Sequence, residues 1–207
     1  WLKDKINTTL KSLFDLKDLK EKNSSIKALA YQLYENNGVL KRDDVLEYLK
    51  DLGQNERKIL RDLGVKFGRY HVFLHRLIKP ESVSLRTLLW KNFHQKYFDL
   101  KPPKFGLNFL NDKNFSNKNF MLLCGFERFE NFFVRIDILE RLFMQIINSG
   151  TAKGREIKMV PEMLNLLGCS KENFIKLLKK MNYKIVEKEK EVYFKYMPSK
   201  SFRKSNT

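Results

Sequence analysis

His71 and His75 stand four residues apart, a spacing that on a helix would aim two imidazoles at one metal ion. Their surroundings argue against that. Tyr70, Val72 and Leu74 alternate with His71 and Phe73 as a strand does, and on a strand the pair lies about 13 Å apart. Structural or phosphate-contacting histidines fit better, and His94 is alone on a predicted helix. Cys124 and Cys169 lack close spacing to each other or to a histidine, so they read as neither a zinc site nor a disulfide framework. Cys169, after Gly168 at a predicted helix end, reads as a buried structural thiol. An ATPase needs a glycine-rich phosphate loop with its Lys and Ser/Thr and an acidic metal motif. The nearest run, Gly150-Thr-Ala-Lys-Gly154, lacks both the spacing and a preceding strand. No Ser-His-Asp or Cys-His arrangement follows from spacing. The expected cofactor set is therefore empty, and this chain alone is not expected to hydrolyse ATP.

Binding chemistry is better supported. The formal net charge is +17 over 207 residues. Residues 51–100 carry 10 basic against 5 acidic side chains and residues 151–207 carry 14 against 6, so two blocks hold most of the excess. Such a field attracts polyanions, nucleic acid first among them. The alternative is compositional bias toward Lys, Asn, Phe and Ile, which explains Lys over Arg but not the shortage of acids. In the first block Arg69 offers a guanidinium for phosphate beside Tyr70, whose ring can stack on a base. Lys66, His71, Arg76 and Lys79 flank them. In the second block Lys176, Lys179 and Lys180 share a predicted helix, while Lys184, Lys188, Lys190 and Lys195 run along a predicted hairpin. Each lysine taken singly reads equally well as a solvated surface residue.

These residues need elements to position them. The apolar spacing predicts an amphipathic helix over 2–21, with an N-cap supplied within Asn23-Ser24-Ser25 for a helix that ends at Asn36-Asn37-Gly38. Val39-Leu40 is a short extended piece. Asp43 or Asp44 opens a short helix through Leu52, closed by Gly53, and Asn55 caps another through Leu63. Val65 and Phe67 begin a β-ribbon, Gly68 allows a tight turn through positive φ, and residues 70–74 return with the charged side chains outward. Pro80 opens a helix over 81–97 with a core face of Val83, Leu85, Leu88, Leu89 and Phe93. Residues 101–125, opening with Lys101-Pro-Pro-Lys104, read as a linker packed down by phenylalanines. Residues 126–136 favour a strand. Asp137 caps a helix over 138–148, and a basic loop (151–155) and an extended piece (157–160) follow. Helices over 161–167 and 171–181 come next, the second capped by Ser170, and then a hairpin of 183–187 with 191–196. Residues 198–207 read as a basic, disordered tail.

The run Leu63-Gly-Val-Lys-Phe-Gly-Arg-Tyr-His-Val-Phe-Leu74, continued by Leu77-Ile-Lys-Pro80, resembles the C-terminal region of a family of alphaproteobacterial superfamily-two helicases. That family is itself similar to the mitochondrial degradosome RNA helicase. The resemblance extends to Trp1-Leu2, Asn37-Gly-Val-Leu40, Leu88-Leu-Trp90, Val134–Leu142 and Pro161–Cys169, in the same order along nearly the whole chain. It departs at His75, where the family would carry proline. The resemblance implies a helicase motor in cis, which would hold ATP and magnesium, and RNA as the nucleic acid. Trp1 in place of an initiator Met fits a fragment of a longer protein.

The expected fold is mainly α with small β-ribbons, an α-helical accessory region with two winged-helix-like modules. A helical module of 1–100 includes one such unit at 26–74, a linker covers 101–125, and 126–197 forms the second. Each repeats helix, extended piece, two short helices and a β-wing, although helices that merely stack on a motor core would show the same order in the first. No apolar run approaches 18 residues and no signal peptide is read, so a cytoplasmic protein without membrane contact is expected. The expected function is a non-catalytic part of an ATP-dependent helicase that grips nucleic acid beside the motor. The alternative is a structural or protein-interaction domain that packs on the motor or recruits a partner such as a nuclease.

Overall fold

The computed structural model describes residues 1–21, 23–111, 117–148, 156–188 and 191–197. It divides into two compact units, residues 1–106 with 114–128, and residues 107–113 with 129–207. The chain is mainly α-helical, with small three-stranded antiparallel sheets.

In the first unit the helix expected over 2–21 is two helices, α1 (Leu2–Thr9) and α2 (Lys11–Lys17), parted at Leu10. The break has a packing cause. α1 buries no residue, whereas Leu10, Leu13 and Leu16 all enter the core, and one straight helix could not serve both courses. α3 (Ser24–Glu35) begins where Asn23 accepts hydrogen bonds from the amides of Ser25 and Ile26, and it buries Ile26, Leu29, Ala30 and Leu33. It ends in a left-handed pair, Asn37 and Gly38. Glycine is required at 38 on two counts, since φ is +79° and a Cβ there would fall 2.5 Å from the Leu77 side chain.

β1 (Val39–Lys41), a 3-10 turn and the short helices α4 (Leu46–Asp51) and α5 (Gln54–Asp62) follow, then β2 (Val65–Phe67) and β3 (His71–Leu74). Asn55 lies inside α5, whose N-cap is Gly53. The sheet runs β1-β3-β2, with Leu40 opposite Val72 and Lys66 opposite Phe73. Two expectations about the ribbon fail. Gly68 is not among the positive-φ residues, and the turn closes through its amide donating to the His71 carbonyl at 2.8 Å. β3 has no outward face either, because all four of its residues are buried.

β3 is covered on both sides because Glu127 reaches His71. The His71 Nε2–H donates to the Glu127 carboxylate at 3.3 Å, and Lys41 Nζ pairs with the other oxygen at 2.8 Å. Burial pushes the Glu127 carboxyl up. The hydrogen bonds and charges of His71 and Lys41 outweigh that and hold it below the usual carboxylate range.

α6 (Pro80–Phe93) stops short of the expected Tyr97, and its expected core face holds in part, with Val83 buried and Leu85 and Leu89 packed against the core. It buries Ser82, Val83, Arg86 and Thr87, while Leu88 is 52% and Phe93 85% exposed. The helix is turned so that the Arg86 guanidinium donates to the carbonyls of Leu77 and Asn37. Segment 101–125, expected to be a linker, contains β4 (Phe109–Asn111) and α7 (Lys118–Leu123). Asn117 caps α7, which buries Phe120, Met121 and Leu123.

The single strand expected over 126–136 is a pair, β5 (Phe126–Phe129) and β6 (Phe132–Arg135), reversing at Glu130 with φ of 46°. In the second unit β4 pairs with β6, Phe109 opposite Val134. α8 (Ile136–Asn148) starts ahead of Asp137, whose carboxylate receives the Arg135 guanidinium at 2.7 Å. Then come β7 (Ile157–Lys158), α9 (Pro161–Leu167), α10 (Lys171–Lys180), β8 (Tyr183–Lys188) and β9 (Glu191–Tyr196), in a sheet ordered β7-β9-β8. Phe143, Phe174 and Phe194 are fully buried, and Phe194 meets Tyr183 edge-on at 5.6 Å. The order α3-β1-α4-α5-β2-β3 thus recurs as α8-β7-α9-α10-β8-β9, with the first strand beside the last in both sheets. The basic loop at 151–155 and the tail at 198–207 lie outside the described residues.

Glu127→Gln should therefore lower stability at neutral pH by about 1–3 kcal/mol, the cost of weakening a buried charge-assisted bond. A carboxyl held below its unfolded value of 4.5 contributes stability above that pH and loses it as the pH falls through the folded value. Urea unfolding at a series of pH values should show a shallower acid-side decline in the variant than in the parent.

Candidate nucleic-acid interface

The first basic block does not form one cluster. Lys66 is exposed on β2, and Arg69 is exposed in the turn between β2 and β3. Tyr70 beside it is half-buried with its hydroxyl oxygen enclosed, which leaves a smaller stacking face than its position suggests. His71, expected at the surface, is buried against Glu127 and so is not available to phosphate. Arg76 and Lys79 are exposed but lie beyond the other end of β3, at least about 13 Å along the strand from Arg69.

α5 spends much of its charge internally. Arg57 donates to the carbonyls of Leu49 and Leu52, closing the C-terminal end of α4. Arg57 and Arg61 both lie over the Phe67 ring, 5.6 and 5.7 Å from its centre. Only the two residues' positive character was legible in sequence. Their ring partner lies six and ten residues away across a turn, which local spacing does not reveal.

The second block is more concentrated. α10 buries Phe174, Leu177 and Leu178, and the i, i+3 and i+4 relation puts Lys176, Lys179 and Lys180 together on its exposed side. Lys180 pairs with Glu130 at 2.6 Å. That hydrogen bond and charge, with a lesser pull from Lys176, hold the Glu130 carboxyl below the usual range. Lys176 and Lys179 form no ion pair among the described residues. β8 packs on α10 and carries Lys184 and Lys188 on alternate, exposed positions.

The register sets Lys184 directly opposite Lys195. Two like charges facing each other across antiparallel strands repel, and an anion between them removes the penalty. Lys188 is opposite Glu191 and forms a salt bridge with Glu156 at 2.6 Å, while Lys158 pairs with Glu191. Among the described residues the positive charge without a salt bridge therefore sits at the end of the hairpin nearer α10, and the paired charge toward its other end. Lys190 lies outside the described residues.

Among the described residues no group of three or more His, Cys, Asp or Glu side chains could hold a metal ion, and no helix is long and apolar enough to cross a membrane. Comparison with protein-family models, with curated proteins and with solved structures finds no match.

Cys124 is buried, whereas Cys169, expected to be buried, is half-buried. Burial pushes Cys124 up to about 12, against the opposing charge of Arg86, and pushes Cys169 up to about 11. In the folded chain at pH 8 iodoacetamide should label Cys169 slowly and Cys124 more slowly still, and both should react at the ordinary rate in denaturant. Mass spectrometry of a labelling time course reads the difference; fast labelling of Cys124 without unfolding would contradict its placement.

Proposed function

We propose that this chain is a non-catalytic nucleic-acid-gripping region that works beside an ATP-dependent helicase motor, with its second unit as the stronger grip. The observation that carries the reading is the concentration of lysines in the second unit, with Lys176 and Lys179 on the outer side of α10 and the like-charged Lys184–Lys195 pair on the hairpin that follows it. Lys176, Lys179 and Lys184 are exposed, and among the described residues none of the four forms a salt bridge. The helix-strand-helix-helix-hairpin order of both units supports a winged-helix description of each. In such a module the third helix approaches a groove and the hairpin touches backbone, which matches the location of the free lysines. Contacts of lysine with phosphate give affinity and orientation without reading sequence.

The helicase assignment rests on the family resemblance, as does RNA as the partner and a motor in cis that would supply ATP and magnesium. A second reading, a protein-interaction domain that packs on the motor or recruits a nuclease, draws on the exposed apolar side chains in and after α6. Leu88, Phe93 and Phe98 are each more than half exposed there.

Single-stranded RNA and DNA should bind with weak sequence preference and a dissociation constant on the order of 10⁻⁴ to 10⁻⁶ M. The triple variant Lys176→Ala, Lys179→Ala, Lys184→Ala should weaken binding to all sequences alike. It should also flatten the dependence of log affinity on log salt by about two units, at roughly 0.7 per lost single-strand contact. Titrations at several salt concentrations measure both. Undetectable binding by the folded chain at low salt would transfer the case to the interaction-domain reading.

A further inference from the structure

The first unit contains a cavity of about 280 Å³ whose wall is apolar apart from a few groups. Leu10, Leu13, Leu89 and Trp90 supply the apolar lining, and Arg86 and His94 are among the polar contributors. Arg86 is 3% exposed. Its Nη1 donates to the Leu77 carbonyl at 2.8 Å and its Nη2 to the Asn37 carbonyl, while its Nε–H has no acceptor among the described residues. No carboxylate pairs with it there. Burial lowers its value to about 10, so the guanidinium is still charged at neutral pH.

A buried positive charge held only by neutral carbonyls is an uncompensated one, and burial without an opposite charge is costly. An unused guanidinium N–H is costly for the same reason. The two carbonyl bonds have a structural role, but they leave the positive charge and the Nε–H without a partner among the described residues. Ligand sites, in contrast, combine apolar walls with a small number of polar groups that fix orientation.

We propose that this cavity is a binding site for a small carboxylate carried on an apolar, aromatic or branched body. The carboxylate neutralises Arg86, and the body packs among Leu10, Leu13, Leu89 and the Trp90 ring. The same chemistry is presented by a free aryl-alkanoic acid and by the C-terminal carboxylate of a peptide ending in an apolar residue.

Trp90 reports on occupancy, since the chain has two tryptophans and Trp1→Phe leaves Trp90 as the remaining indole. The whole chain in that background is titrated with 3-phenylpropionate and with its neutral amide. The acid should give a saturable change in Trp90 fluorescence, and the amide should bind at least tenfold more weakly. Arg86→Met should abolish that preference. Because losing the guanidinium can also unfold the unit, Leu89→Phe serves as the second variant. It narrows the cavity, leaves the Arg86 bonds intact, and should reduce affinity for the acid at least tenfold with unchanged circular dichroism. The tripeptide Gly-Gly-Phe with a free carboxylate, against its C-terminal amide, separates the sources. Tighter binding of the tripeptide points to a chain end and tighter binding of phenylpropionate to a small acid, and either supports the site. No saturation at millimolar concentrations of either, equal affinity for acid and amide, or unaltered binding by folded Leu89→Phe would overturn it.

Discussion

A single guanidinium ties together three elements of the first unit. Arg86 on α6 reaches the carbonyl of Asn37, in the left-handed turn that ends α3, and that of Leu77, in the 3-10 turn that follows β3. Those carbonyls are exposed to no regular ladder, and buried backbone acceptors without partners are rarely tolerated. The glycine at position 38 brings the two turns close enough for one side chain to serve both, because the Leu77 side chain occupies the space a Cβ would need. The orientation of α6 follows from this bond. With Arg86 inward, Ser82, Val83 and Thr87 go inward with it, and Leu88 and Phe93 are left in water.

The two units use one order of elements with different assignments of charge. In α5 the arginines act as structure, closing α4 and covering the Phe67 ring. In α10 the lysines stand on the far side of an apolar stripe and leave the core to phenylalanine and leucine. A planar guanidinium can bond carbonyls and lie over a ring at once, whereas an ammonium on a flexible stem keeps its hydration. The distribution of Arg and Lys between the two helices thus separates the packing role of α5 from the binding role proposed for α10.

How far the sequence revealed this depends on whether each cause was local. Asn23 and Ser170 cap helices as their residue types imply, and the alternation over 183–196 becomes a hairpin with Ile185 opposite Phe194. The concentration of lysines on α10 was equally legible, because helical spacing alone places 176, 179 and 180 together. What escaped notice has distant causes. Nothing near His71 indicates that Glu127, 56 residues on, will bury it. Nothing near Arg86 indicates that the carbonyls of residues 37 and 77 will be brought to it. Lys180 looks as free as Lys179 because its partner, Glu130, lies 50 residues earlier on the turn between β5 and β6. Of the core face expected on α6, Val83, Leu85 and Leu89 pack inward, whereas Leu88 and Phe93 give way to a polar anchor.

The facing lysines 184 and 195 make the second hairpin a polyelectrolyte in miniature. Mutual repulsion at its base fades as mobile ions screen it, so ionic strength firms the local strand pairing. The same ions compete for the phosphates such a surface would hold, so ionic strength loosens the grip. The two responses to salt carry opposite signs on the same pair of side chains. A polyanion lying across the pair takes over the screening itself, so that occupancy and local order rise together. On the proposed reading the hairpin would be least ordered when unoccupied in dilute salt, and its rigidity would be in part a property of what it holds.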